Sequence, residues 1–514
     1  MTEAEVRRTR PTQCRRTPLP ELAALLDLPA QAGAIEVTGI TLSTDRVLPG
    51  DLYAALPGSR AHGADFVPAA VAAGAVAVLT DPAGAQRLAE RLGQEPESVP
   101  VPVLVVPDPR AVLGELSAHI YGHPTRALRM IGVTGTQGKT TVTRLADLAL
   151  SGAGVHSAVI GTIGTRILGE EVPTQLTTPE APDLQALFAK MVEAGVETCA
   201  MEVSSHALAM GRVDGILFDV AVFTNLGRDH LDFHADLEEY FAVKASLFTP
   251  RRCRRAVVNR DDEHGRRLVA EAQVPTETFS VHDRSADWSA RAVASTPRGS
   301  EFTVLHRGAA VSAAVPIAGE FNVANGLAAL AAAASVGHDL TRLAGALAAG
   351  SGVPGRLERV ETGLGVEAVV DYAHKPDAVA AALTTLRPLT RGRLICVIGA
   401  GGDRDTGKRP VMGEIAARLA DLVVVTDDKP RSEDPAAIRA AVLAGCSGPA
   451  RVLEIGDRRA AIREALRLGE PGGLVLVAGK GHETGQEIAG VVHPFDDRVV
   501  VAEEARALAE ESDR

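Results

Sequence analysis

The sequence predicts an α/β protein of three domains, with a P-loop sheet in the middle and a doubly wound, largely parallel sheet at the end. Three observations predict it. Residues 130–133 are a short apolar run, read as a buried strand, and a glycine turn follows: Gly135-Thr136-Gln137-Gly138-Lys139-Thr140-Thr141. Apolar residues then recur at helical spacing (Val142, Leu145, Ala146, Leu148, Ala149) until Gly152 and Gly154 stop the helix. Beyond about residue 354, apolar runs recur at 366–370, 394–398, 422–425, 452–455 and 474–478 with helical patterns between them. The 514 residues suffice for about three domains.

In chain order, residues 1–17 are a basic stretch expected to be a disordered tail. Residues 18–127 read as a smaller α/β domain, with strand signals at 35–42, 75–79 and 101–106 and a helix at 66–73. Inside it, Ser43-Thr44-Asp45-Arg46 ends one strand and another begins after Gly50, which alone reads as a hairpin with a polar loop. Residues 128–353 form the second domain and 354–514 the third. The Ala/Leu stretch at 325–336 is expected to be a buried helix.

The glycine turn at a helix start makes an anion site, because the backbone N–H groups point inward and the helix dipole favours negative charge. Lys139 suits the outer phosphates of a nucleotide and the Thr140 hydroxyl suits Mg²⁺. The strict P-loop pattern needs glycine where Val133 stands, so this is the shorter Gly-Thr-x-Gly-Lys-Thr form. Two nearby strands also end in polar residues. Residues 196–201 lead into Glu202, a candidate Mg²⁺ ligand, and 220–223 lead into Thr224-Asn225-Leu226-Gly227-Arg228-Asp229-His230, with His230 the next candidate. In the third domain, polar clusters follow strand after strand: Asp371-Tyr372-Ala373-His374, then 399–405, then Asp427-Asp428-Lys429-Pro430-Arg431, then Gly479-Lys480-Gly481-His482-Glu483. Ligands of such sheets bind beyond the carboxyl ends of the strands.

The net charge of −12 argues against a general nucleic-acid binder, which needs a basic face. The five cysteines are scattered with no CxxC pair, which fits a reducing compartment and no zinc site. No run of about 18 apolar residues is present, and Glu21 and Asp27 break any apolar core of an export signal, so a cytoplasmic protein without a membrane anchor is expected.

Together these residues resemble the Mur ligase family, from about Gly39 to Glu504. The most specific pieces are Met201-Glu202-Val203-Ser204-Ser205-His206, the run 223–232, Gly355-Arg356-Leu357-Glu358, Val370-Asp371-Tyr372-Ala373-His374, Gly401-Gly402-Asp403-Arg404-Asp405 and Pro430-Arg431-Ser432-Glu433-Asp434. The resemblance implies a three-domain architecture with a central P-loop ATPase domain and a C-terminal Rossmann-like domain. It implies an ATP- and Mg²⁺-dependent amide ligase of peptidoglycan precursor synthesis, adding diaminopimelate to a UDP-MurNAc-dipeptide through an acyl phosphate. A monomer is expected.

By the same resemblance, Gly135, Thr136, Gln137, Gly138, Lys139, Thr140 and Thr141 hold the ATP phosphates, and Asn325, Arg356 and Asp371 hold the rest of the nucleotide. Thr140, Glu202, His230 and Lys244 serve the metal ions. Lys244 is implied to carry a CO₂-derived carbamate, which turns an ammonium into an anion and requires a neutral amine to form. Asp45, Ser59, Arg60, Ala61, Thr177, Thr178, Ser204 and Arg212 are implied to bind the UDP-substrate. Arg404, Asp428, Lys429, Pro430, Arg431, Gly479 and Glu483 are implied to bind diaminopimelate. Of these, Arg431 suits its distal carboxylate and Glu483 an ammonium.

Several positions depart from the family pattern. Lys429 stands where asparagine is usual, Gln137 where asparagine or serine is, Leu176 where asparagine is, Met210 where glutamine is, and Thr44-Asp45-Arg46 where Asp-Ser-Arg is. Apart from Gln137 in the nucleotide loop, these changes gather around the substrates and leave Lys139, Thr140 and the metal residues intact. A paralogue with another amine or acyl substrate is one alternative. A nucleotide-binding regulator without catalysis is another, which retention of Lys139, Glu202, His230 and Lys244 opposes.

Overall fold

The computed structural model describes residues 2–29, 34–92, 100–230, 233–296 and 298–512. Leu231 and Asp232, the end of one family motif, lie outside the described residues. The chain divides into two compact units, Met1–Ser289 with Leu327–Ala346, and Ala290–Gly326 with Leu347–Arg514.

The first unit begins with a four-stranded parallel sheet in the order Gly39–Thr41, Asp51–Ala55, Ala77–Thr80, Val103–Val105. The hairpin expected around residues 43–50 is therefore a parallel connection. A 3₁₀ turn at Thr44–Arg46 replaces the two-residue turn a hairpin needs. All of Asp51–Ala55 is buried, as in a strand covered on both faces. The Leu19, Leu22, Ile40, Leu52, Leu79 and Leu116 side chains share one core with Ala181 and Ala186 of the helix Ala181–Glu193.

The disordered tail is also corrected. Glu3–Arg8 is a helix closed by a Thr2–Glu5 capping box. Val6, Thr9 and Arg10 are buried, and Arg10 pairs with the buried Asp51 at 2.6 Å. An ion pair removed from water cannot be left as a loose end, because either charge alone would be uncompensated.

The P-loop sheet of the same unit has six adjacent parallel strands in the order Ser157–Gly161, Thr198–Glu202, Arg129–Thr134, Val220–Phe223, Ala256–Asn259, Thr276–Ser280. Two antiparallel strands, Gly164–Ile167 and Glu170–Val172, extend its other edge. The strands are continuous apolar runs because both faces are covered; Met130, Ile131, Val133, Val220, Val222 and Phe223 are all buried. The predicted buried helix is found as Glu320–Ser335. Among the described residues, no helix is long and apolar enough to cross a membrane.

In the second unit, Gly299–His306 and Ala309–Val315 form an antiparallel hairpin. The main sheet of this unit has the order Glu358–Val360, Glu367–Asp371, Leu474–Ala478, Leu394–Ile398, Leu422–Val425, Arg451–Glu454. Only the pairing of Glu358–Val360 is antiparallel. Val370, Val397, Val424 and Val477 form its core with Ile462 and Val501 of the covering helices. The doubly wound expectation is met, and the four polar clusters leave the carboxyl ends of neighbouring strands.

Candidate active site

In the first unit, chemistry-bearing residues gather at the carboxyl ends of the central strands. The strand Arg129–Thr134 runs into the glycine turn and the helix Lys139–Gly152. Gly138 caps that helix at φ +86°, and Gly135 sits at φ +148°. A Cβ on Gly135 would overlap the Thr224 hydroxyl, so only glycine fits this approach. The next strand end pins the turn. Asn225 Oδ1 accepts from Gln137 N at 3.0 Å, Asn225 O accepts from Thr136 N at 2.9 Å, and Thr224 Oγ1 donates to Gln137 O at 2.6 Å. Gly227 N donates to Thr136 Oγ1 at 2.9 Å. The shape of the turn is thus fixed by the protein's own hydrogen bonds.

Lys139 Nζ donates to Gly135 O at 2.8 Å and to Thr136 O at 3.1 Å. Lys244 Nζ donates to the same Gly135 O at 2.8 Å and stands 4.5 Å from the centre of the Tyr240 ring. Lys244 lies in the helix Leu237–Ala245 and is 1% exposed. Burial first, and the Lys139 charge second, hold its amine well below the usual lysine range, against a smaller opposing pull from Asp229. Thr140 and Thr141 are buried at the helix start.

Glu202 ends its strand one neighbour away, paired in register with Val133, and is 1% exposed. Its carboxylate accepts from Thr162 N at 2.7 Å and Thr162 Oγ1 at 3.1 Å. A Cβ on Gly161 would overlap it, so glycine is required there too. Thr178 Oγ1 donates to Glu202 O at 2.8 Å, and Ser204 N donates to Thr178 Oγ1 at 3.3 Å. Thr177 joins through Thr162 at 3.1 Å. His230 takes φ +55°, its backbone N donates to Asp229 Oδ1 at 2.9 Å, and its ring meets His206 edge-on with centres 4.8 Å apart. Among the described residues, no group of three or more His, Cys, Asp and Glu side chains gathers as a metal cage. Mg²⁺ of the P-loop kind takes one or two protein oxygens, and the Thr140 hydroxyl and Glu202 carboxylate are oxygens of the kind it takes.

The expected UDP-substrate residues spread over the same unit. Asp45 is exposed on the 3₁₀ turn, and Ser59, Arg60 and Ala61 are exposed on a loop closed by Gly58 N to Ala61 O at 3.1 Å. Arg212 is engaged by Glu180 at 2.8 Å and by Thr178 O at 3.3 Å. Arg110 reaches the same Glu180 at 3.2 Å, and Arg46 reaches Asp183 at 3.0 Å. Sequence reading missed this acidic pair at the start of Ala181–Glu193, together with Thr162, Asn225 and Tyr240. Asn225 lay inside a motif already singled out, which was its only signal.

In the second unit, Asp371 Oδ2 accepts from Leu357 N at 2.7 Å, and burial raises its carboxyl pKa against the lowering pull of Arg356. The Arg356 guanidinium stacks 4.7 Å from the Tyr372 ring centre, and Asn325 Nδ2 donates to Asn322 Oδ1 at 3.2 Å. Burial pushes His374 down to about 4, so its ring is neutral at pH 7. Asp428 is 6% exposed, and its Oδ1 has no hydrogen-bond partner among the described residues. Gly479, at φ +121°, packs against the other oxygen of that carboxylate. Lys429 Nζ pairs with Glu483 Oε1 at 2.5 Å. Arg431 sits at φ +54°, donates Nη1–H to Gly402 O at 2.5 Å, and faces Glu487 at 3.6 Å. Pro430 precedes it, and Arg404 is exposed. Glu483 was expected to serve a substrate ammonium; the chain's own Lys429 now sits on it.

The chain is similar to known proteins over nearly its full length. Three family models match: "Mur ligase family, catalytic domain" at 36–121, "Mur ligase middle domain" at 133–333 and "Mur ligase, glutamate ligase domain" at 355–481. The UDP-N-acetylmuramoyl-L-alanyl-D-glutamate–2,6-diaminopimelate ligase of Streptomyces coelicolor is 55% identical over 503 residues, 96% of this chain and 97% of that one. The ligase of the same name from Corynebacterium glutamicum is 50% identical, covering 94% of each chain. A solved structure of a ligase with this name superposes with a TM-score of 0.69 at 34% identity, covering 97% of this chain and 100% of that one. With near-full-length relatives at this identity and three family models matching along it, the chain belongs to the Mur ligase family.

Proposed function

We propose that this protein joins diaminopimelate to UDP-MurNAc-L-Ala-D-Glu in an ATP-dependent reaction of peptidoglycan precursor synthesis. The observation that carries the reading is the glycine turn at 135–139, pinned by Asn225, with Lys139 and the buried Lys244 converging on Gly135 O. The substrate pair is supported by the names of the near-full-length relatives. The site residues and the division into 18–127, 128–353 and 354–514 belong to the same proposal, as do a cytoplasmic location and a monomeric state.

In this reading the acceptor carboxylate attacks the γ-phosphorus of ATP and ADP leaves. The free amine of diaminopimelate attacks the acyl phosphate, loses a proton, and phosphate departs with one former carboxylate oxygen. Loop N–H groups and Lys139 hold the phosphates in line. Thr140, Glu202, His230 and the modified Lys244 would hold Mg²⁺, which supplies charge neutralisation on the phosphates. The Glu202 carboxylate, buried and fixed by Thr162, suits that role. The carbamate on Lys244 forms when its neutral amine bonds to the carbon of CO₂ and releases one proton. Burial of that amine supports the step.

In the second unit, the unpartnered Asp428 oxygen suits an ammonium and Arg431 suits the distal carboxylate that lysine lacks. Charge-assisted bidentate pairing in a closed site is worth a few kcal/mol, so Arg431→Ala is expected to cut the preference for diaminopimelate over lysine by roughly 10²-fold. Lys429→Asn is expected to keep it. The test is an amine screen with the UDP-dipeptide, ATP and Mg²⁺, read by product mass. Product with diaminopimelate and little with lysine supports the reading. Equal use of both, or of neither, transfers the protein to another amine and leaves only the ligase chemistry.

A further inference from the structure

The N-terminal residues, ahead of every family-model match, make contacts that a loose tail would not. Arg10 forks between two groups: Nη1 donates to Asp51 Oδ1 at 2.6 Å and Nη2 donates to Arg46 O at 3.2 Å. Asp51 opens the strand Asp51–Ala55, and its second oxygen accepts from Leu48 N at 2.9 Å. Arg46 closes the 3₁₀ turn Thr44–Arg46, and its Nη2 donates to Thr9 Oγ1 at 3.4 Å. One guanidinium therefore fastens the end of the turn that carries Thr44 and Asp45 to the start of the next strand. Arg10 and Asp51 have side chains 6% and 1% exposed. A Cβ on Gly39 would overlap both partners, so glycine at that position leaves room for the pair.

The strap continues past Arg10 to the helix Ala181–Glu193. Thr12 N and Gln13 N donate to the Glu193 carboxylate at 2.9 and 3.0 Å, and the Thr12 hydroxyl joins them. On the other side, Arg8 Nη2 donates to Glu171 O at 3.0 Å. The same helix carries Asp183, the partner of Arg46, in its first turn, and just before the helix Thr178 bonds the backbone of Glu202. Residues 2–13 thus hold the 44–46 turn in fixed relation to the strand end that carries Glu202.

We propose that this strap positions the 44–46 turn for the UDP-substrate, with Arg10 as the positioning residue. The proposal rests on the reading of that turn as a UDP-substrate contact. Arg10 touches no substrate; it acts through the backbone of Arg46 and the carboxylate of Asp51. A strap that only stabilised the fold would move the melting temperature and leave the Michaelis constants alone.

The variant that separates the two is Arg10→Lys, which keeps the charge beside Asp51 and loses the fork to Arg46 O. Expected is a Tm near that of the unaltered protein and a KM for the UDP-dipeptide raised about tenfold, the scale of one hydrogen bond to a charged group. The KM values for ATP and diaminopimelate stay unchanged. Glu193→Gln, at the far end of the strap, should shift the same constant in the same direction and is read alone if Arg10→Lys does not fold. Asp45→Ala reports on the turn itself. If Asp45→Ala raises the KM for the UDP-dipeptide and neither strap variant does, the strap proposal is overturned and the turn keeps its role. If none of the three raises it, the turn reading falls and the strap proposal with it. An equal rise in all three Michaelis constants also overturns the proposal.

Discussion

Lys139→Ala is expected to fold normally and to lose product formation by at least about 10²–10³-fold, the scale of removing one preorganised donor from a developing charge. Folding should survive because the turn does not depend on this side chain. Its shape is set by Asn225, Thr224 and the Thr136–Gly227 bond, all of which remain. Lys139 Nζ donates to two carbonyls of its own loop, at 2.8 and 3.1 Å. A cation held there, beside the glycine turn and the helix start, suits phosphate oxygens. The check is steady-state product formation beside a thermal melt. Near-normal turnover in a folded Lys139→Ala protein would remove the P-loop assignment.

Lys244 carries the second large effect. Two lysine side chains on one carbonyl oxygen repel each other when both are ammonium ions, and burial of Lys244 away from bulk solvent strengthens that repulsion. Both effects favour the neutral amine that the proposed carbamate requires. Lys244→Ala is expected to be nearly inactive, with part of the rate restored by added short carboxylates that fill the gap. Mass spectrometry of the active protein at mildly alkaline pH should show the mass of CO₂ added at Lys244. The sign with pH follows from the lowered pKa: protonation on acidification removes the nucleophile, and carbamates themselves break down in acid, so both adduct and activity fall as pH falls. For the unmodified amine, the folded state binds its proton more weakly than the unfolded state. Its contribution to stability therefore rises with pH from the lowered folded value up to the ordinary lysine value of 10.5. Lys244→Met should accordingly lose no thermal stability at neutral pH. An active protein with an unmodified Lys244 would contradict the carbamate.

Much of the fold was legible because buried parallel strands are continuous apolar runs. Leu394–Ile398, Leu422–Val425, Leu474–Ala478 and Val220–Phe223 were readable to the residue. The candidate residues Glu202 and Asp428 stood out because a strand end hands over to polar side chains there. What was hidden depends on partners far apart in sequence. The helix Glu3–Arg8 buries one apolar side chain, Val6, and offers no periodicity. Its neighbour Arg10 meets Asp51 at a separation of 41 residues, and Thr12 meets Glu193 at 181. The parallel pairing of Gly39–Thr41 with Asp51–Ala55 was read as a hairpin because a short polar connection carries no sign of strand direction. The ion pair between Lys429 and Glu483 was equally out of reach, since each residue alone looked like half of a substrate contact.

The central claim is that this chain uses ATP to activate a carboxylate as an acyl phosphate before amide formation. The most direct measurement is oxygen transfer from UDP-MurNAc-L-Ala-D-Glu labelled with ¹⁸O in the acceptor carboxylate, incubated with ATP, Mg²⁺ and diaminopimelate. The account predicts one labelled oxygen in the released inorganic phosphate for each amide bond made. Amide product accompanied by wholly unlabelled phosphate would contradict it.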